Sequence, residues 1–101
     1  MTGDGSDPIR YRLRLFIAGS APRSRRTIEN LRRICARHLA GNFDLEVVDI
    51  YQQPELARAD RIVAAPTLLK LAPLPARQII GDLSDEVRVL RGLGLPSASS
   101  L

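Results

Sequence analysis

The sequence predicts one mixed α/β domain, a single sheet with helices packed on it, in the order βαβαββα. Three observations carry this expectation. Tyr11, Leu13, Leu15 and Ile17 set an apolar period of two near the start, the pattern of a half-buried strand. Ile28, Leu31, Ile34, Cys35 and Leu39 then recur at helical spacing, with Arg and Glu on the opposite side. Pro54, Pro66, Pro73, Pro75 and Gly81 punctuate the second half into short elements joined by turns.

Taken in order, residues 1–8 are rich in Gly, Asp and Ser and read as a disordered tail. Arg12, Arg14 and Phe16 alternate with the apolar set of the first strand, which Ala18-Gly19-Ser20-Ala21 ends. Pro22 suits a first helical turn, where its missing N–H needs no partner. Ser20 or Ser24 is the candidate cap. Gly41-Asn42 stops this helix, since both residues tolerate a left-handed backbone. Phe43, Leu45 and Val47 alternate with Asp44 and Glu46 as a second strand. Strand, helix and strand make a crossover unit with parallel pairing. Pro54 to about Arg61 is a short helix, Thr67 to Leu71 a third strand and Arg77 to Ile80 a fourth. Pro73-Leu74-Pro75 turns one into the other, because two prolines do not fit a paired central strand. Ser84 is the expected cap of the last helix, with Asp85 and Glu86 near its positive end. Val87, Leu90 and Leu93 form its apolar face, and Gly94 and Pro96 end it. Residues 9–95 are thus the domain and 96–101 a loose C-terminal tail. A parallel first pair followed by a terminal hairpin resembles the thioredoxin-like arrangement.

Composition excludes several classes. With 101 residues there is room for one domain with a modest core, so self-association is plausible. No apolar run approaches the roughly 20 residues of a membrane span, and no signal-peptide pattern precedes the first strand. The expectation is a cytoplasmic chain with no membrane partner. The net charge is +4, and every basic residue except Lys70 is Arg. The cluster at Arg23, Arg25 and Arg26 has no interleaved aromatics to stack bases, so nucleic acid is not the expected partner.

A single cysteine, Cys35, excludes an intramolecular disulfide, a CxxC pair and a cysteine-based zinc site. It falls on the apolar face of the first helix and reads as a small buried hydrophobe. His38 is the only histidine and reads as a surface or capping residue, so no metal site is expected. Thioredoxin chemistry needs a low-pKa thiolate at the start of the first helix. That region reads Ser20-Ala21-Pro22-Arg23-Ser24, without cysteine. No catalytic residue and no cofactor are expected.

The chain resembles the KaiB family of circadian-clock proteins from about Tyr11 to Leu93. The most specific segment is Ile79-Ile80-Gly81-Asp82-Leu83-Ser84. Ala18-Gly19 followed by Pro22, Val48-Asp49 leading to Pro54-Glu55-Leu56, and Ala65-Pro66-Thr67-Leu68 support it. The resemblance implies a non-enzymatic regulator that binds a phosphorylated KaiC-like ring ATPase and, in cyanobacteria, then sequesters KaiA. It also implies competition with the thioredoxin-like sensor domain of a histidine kinase. Two folds are implied as well, a tetrameric ground state and a thioredoxin-like monomer that share the first half and rebuild the second.

The resemblance assigns partner binding to Tyr11, Arg26, Asp44, Glu46 and Arg77. It assigns fold switching, or plain turn formation, to Pro66, Pro73, Pro75, Gly81, Asp82, Gly92 and Gly94. A cis proline is expected at Pro66. Phe16 and Tyr11 are also candidates to line a small-molecule pocket, but core packing explains them better. Asp44 and Glu46 face outward on a strand expected at the sheet edge, where charge either meets a partner or discourages aggregation. Arg26 and Arg77 either pair with acidic groups of an ATPase ring or are solvated.

Three departures from cyanobacterial members stand out. Glu46 replaces a usual Lys, Gly94 replaces a usual Asp, and no acidic tail follows Leu95. An added glycine is expected to weaken the last helix by up to about 1 kcal/mol. Together these changes fit a homologue from a bacterium without a full cyanobacterial clock. The alternative function is a thioredoxin-like adaptor or sensor domain in a signalling or stress pathway without KaiC.

Overall fold

A computed structural model describes residues 9–96. The expectations for residues 1–8 and 97–101 lie outside the described residues.

The elements are β1 (Tyr11–Ile17), α1 (Pro22–His38), β2 (Phe43–Asp49), α2 (Pro54–Ala59), β3 (Thr67–Ala72), β4 (Arg77–Ile80) and α3 (Glu86–Leu93). The sheet order is β2-β1-β3-β4. β1 pairs parallel with β2 and antiparallel with β3, and β3 pairs antiparallel with β4. The expected order βαβαββα, the parallel first pair and the terminal hairpin are all present.

The alternation along β1 explains how the layers form. Leu13, Leu15 and Ile17 turn toward α1 and α3 and pack with Leu31, Ile34, Leu68, Ile79, Leu90 and Leu93. Phe16 points the other way and is wholly buried with Val48 and Leu69, under Leu56, Ala57 and Ile62 from α2 and its C-terminal flank. The sheet therefore carries α1 and α3 on one face and α2 on the other. α2 contributes no fully buried residue, so this second layer rests on a small cluster.

Helix ends show where local reading and packing diverge. α1 is preceded by Ala21, with no side-chain cap. Neither Ser20 nor Ser24 fills that role: the Ser24 hydroxyl reaches the Ala18 carbonyl at 3.4 Å, because Ser24 already lies within the helix on its buried side. The cap of α3 is Asp85, not Ser84: its carboxylate accepts the Arg88 N–H at 3.2 Å. The Ser84 N–H is instead donated to Asp82 at 3.0 Å. Between them Leu83 takes φ 62° and is almost buried, so the chain dips into the core there and the helix starts later. α2 stops at Ala59, since Arg61 is left-handed at φ 56°. Gly94 does not weaken α3. It stands just beyond the last helical residue at φ 78°, where a missing Cβ is an advantage.

The two helices on the same face are tied at their ends. Glu86 in the first turn of α3 meets His38 Nε2 at 2.8 Å and Arg37 at 3.3 Å. His38 is therefore half-buried and pairs across to α3, neither capping its own helix nor standing free on the surface.

Candidate functional site

A thioredoxin-like fold places its chemistry at the head of α1. Here that point carries Ser20, Ala21 and Pro22. The one thiol, Cys35, lies more than three turns into α1 and is wholly buried. Burial pushes its pKa from the ordinary 9.0 up to about 11, so it is neither ionised nor reachable at neutral pH. A thiol reagent is therefore expected to label native protein only as fast as it unfolds, and denatured protein at once; rapid labelling of the native state would contradict this. The raised value also sets an alkaline limit. Below the unfolded pKa the buried thiol costs nothing. As pH rises from about 9 toward about 11 the unfolded thiol ionises first, and this contribution to stability is lost. Among the described residues no group of three or more His, Cys, Asp or Glu is placed to hold a metal ion.

The remaining candidates are surfaces. β2 is an edge strand, as expected. Asp44 and Glu46 project from it and are exposed, but neither carboxylate is solitary. Asp44 receives Arg10 at 2.7 Å, which holds its carboxyl below the ordinary range. Glu46 receives Arg14 Nε at 2.8 Å, and the same guanidinium gives Nη1 to Asp60 at 2.7 Å. Arg14 lies opposite Glu46 in the β1–β2 register. One half-buried arginine therefore joins the edge strand to the end of α2, a link that single-element reading missed.

The other assigned residues do not gather at this edge. Tyr11 is only 8% exposed and belongs to the main core. Arg26 is exposed on the first turns of α1 and acts electrostatically on Asp82. Arg77 lies on β4, at the opposite edge of the sheet.

Each residue assigned to switching has a local role in this fold. Pro66 enters β3 through a cis bond, as expected, and Pro73 and Pro75 shape the β3–β4 turn. Gly81 has φ 126°, a conformation in which a Cβ is strained. The Asp82 carboxylate accepts from Ser84, which lowers its pKa. Gly92 lets α3 lie against β4: a Cβ there would stand 2.5 Å from Ile79 Cδ1.

Three residues that the sequence analysis left aside prove notable. Lys70 is 4% exposed, inside the sheet. Arg88 and Arg91 share one side of α3, and with Arg77 they line a cavity. Their spacing of three is a signal that sequence alone contains.

A mixed four-stranded sheet in the order β2-β1-β3-β4 with helices on both faces, and no cysteine at the head of α1, define a thioredoxin-like domain without a dithiol. The N-terminal domain of Synechococcus elongatus SasA matches it with TM-score 0.72 at 24% identity, covering 93% of this chain and 92% of that domain. Mitochondrial thioredoxin 3 from Saccharomyces cerevisiae matches with TM-score 0.67 at 15% identity, over 85% of this chain and 78% of that one. Residues 14–95 match the KaiB domain model. The circadian clock oscillator protein KaiB of a Synechococcus species is 49% identical over 85 residues, 84% of this chain and 77% of that protein. The counterpart from Prochlorococcus marinus is also 49% identical, over 84% of this chain and 71% of its own length. The chain belongs to the KaiB family of circadian-clock proteins. Among the described residues no helix is long and apolar enough to cross a membrane.

Proposed function

We propose that this chain is a non-catalytic clock or timing regulator that binds a phosphorylated KaiC-like ring ATPase in the cytoplasm. Family membership across residues 14–95 is the observation that carries this reading. The buried thiol and the cysteine-free head of α1 support the absence of redox catalysis. Residues 9–95 act as the binding unit. Asp44 and Glu46 present the β2 edge, and Arg26 and Arg77 offer charges to acidic groups of the ring. Tyr11, being buried, acts by seating β1 beside β2 rather than by touching the partner. A histidine kinase sensor domain competes for the same ring. Pro66, Pro73, Pro75, Gly81, Asp82, Gly92 and Gly94 lie in the half that a second, self-associating fold rebuilds.

The test is a pull-down with the host's KaiC-like ATPase, wild type against phosphomimetic, beside size-exclusion chromatography of the chain alone. Retention that depends on phosphorylation state is the expected result. The elution volume reports whether the chain starts as a monomer, dimer or tetramer. Absence of retention in both states would overturn the partner assignment.

A further inference from the structure

β4 is the second open edge of the sheet, remote from β2. The Gly81 N–H is donated inward to the Pro66 carbonyl at 3.0 Å. Continuing the antiparallel register Ile80↔Thr67 and Ile79↔Leu68, alternation turns the backbone N–H and C=O of Gln78 and Ile80 outward. Beside that edge runs α3, and between them lies a cavity of about 300 Å³ lined by Arg77, Gln78, Ile79, Arg88, Arg91 and Gly92.

No lining residue is acidic. Arg77, Arg88 and Arg91 are all exposed, and among the described residues none of them is in an ion pair. Lys70 lies opposite Arg77 on β3. Burial, and then the charge of Arg77, lower its pKa, so Lys70 feels a neighbouring cation there and no carboxylate offsets it. Along β4 the faces alternate: Arg77 and Ile79 turn toward α3, while Ile80 turns to the opposite face and is 44% exposed.

From this we infer that the β4–α3 groove is a docking site for an extended acidic segment of a partner protein, added as a strand to β4. Its backbone pairs with Gln78 and Ile80. Its carboxylates, on alternate residues, meet Arg77, Arg88 and Arg91, and its apolar side chains lie over Ile80. Guanidinium groups match carboxylates in planar, paired hydrogen bonds. Nucleic acid fits less well, because no aromatic lines the groove to stack a base. The site shares Arg77 with the preceding reading but does not require a ring ATPase.

The experiment titrates the full chain with a fluorescein-labelled peptide alternating Glu and Val, followed by anisotropy and by backbone amide shifts. The expected result is saturable, salt-weakened binding with the largest shifts at Gln78 and Ile80. Arg91→Gln weakens it by about fivefold and the pair Arg88→Gln, Arg91→Gln by about 25-fold, at the upper end for exposed charge pairs. Arg58→Gln, exposed on α2, leaves it unchanged. Equal binding of a peptide with Gln for Glu, insensitivity to the double variant, shifts centred on β2, or tighter arginine-dependent binding of single-stranded RNA would each overturn the inference. Because the probe contains no ATPase, failure here leaves the ring assignment standing, and failure of the pull-down leaves this groove intact.

Discussion

Phe16→Ala is expected to destabilise the domain by about 3–5 kcal/mol, the cost of emptying a fully buried aromatic site. Phe16 is 0% exposed, and its cluster has two other buried residues, Val48 and Leu69, with only partly buried side chains around them. Smaller, partly exposed neighbours refill the cavity poorly, so most of its cost remains. The loss is a large fraction of the roughly 5–15 kcal/mol that holds a domain of this size together. It should also act unevenly. α2 has no fully buried residue of its own, so its amide protection should collapse before that of α1, which packs on the other face. Urea unfolding followed by circular dichroism, together with hydrogen exchange, checks both parts. A loss under 1 kcal/mol with α2 still protected would show that another contact holds this layer.

Gly92→Val is expected to cost about 1–3 kcal/mol through overpacking. A Cβ at this position would meet Ile79 Cδ1 at 2.5 Å and Cγ1 at 2.7 Å, closer than carbon atoms approach without displacement. Ile79 is 5% exposed in the core and has little room to withdraw. Helix propensity works against the loss, since valine is a better helix former than glycine by a few tenths of a kcal/mol, but the clash is larger. α3 should therefore lift from β4. Ile79→Val removes the offending Cδ1 and alone costs about 0.5–1.5 kcal/mol. The double variant should be less destabilised than the two single effects added, because the residues share one contact. Strict additivity in a double-mutant cycle would show that α3 is not seated by this contact. Since Gly92 also lines the arginine groove, the same variant should perturb that surface while leaving the β2 edge in place.

The β2 edge shows how far a partner site is legible in one chain. Alternation between Phe43 and Val47 is enough to put Asp44 and Glu46 on the outer side of a strand. It does not reveal that Arg10 and Arg14 already hold them. A partner must therefore exchange existing ion pairs for new ones. Exposed pairs of this kind contribute little to stability, so the exchange is open to a partner with well-placed charge. Arg14 resists more, because Asp60 engages it from the other side at 2.7 Å.

What the sequence determined by itself is local and periodic. The strand period of two, the helical spacing from Ile28 to Leu39 and the proline and glycine breaks specify the element order, because each reports which side of one element avoids water. The lack of a second cysteine is likewise decisive without any structure. Tertiary structure decided what meets across long separations. It buried Phe16 on the second face because α2 returns there, and it moved the α3 cap to Asp85 because Leu83 is drawn into the core. It set Arg77 beside Arg88 and Arg91, while leaving Arg26 on α1 and Asp44 at the opposite edge of the sheet. Periodicity assigns a residue to a face, but only strand order and helix packing, set by the burial of the whole chain, decide what that face meets.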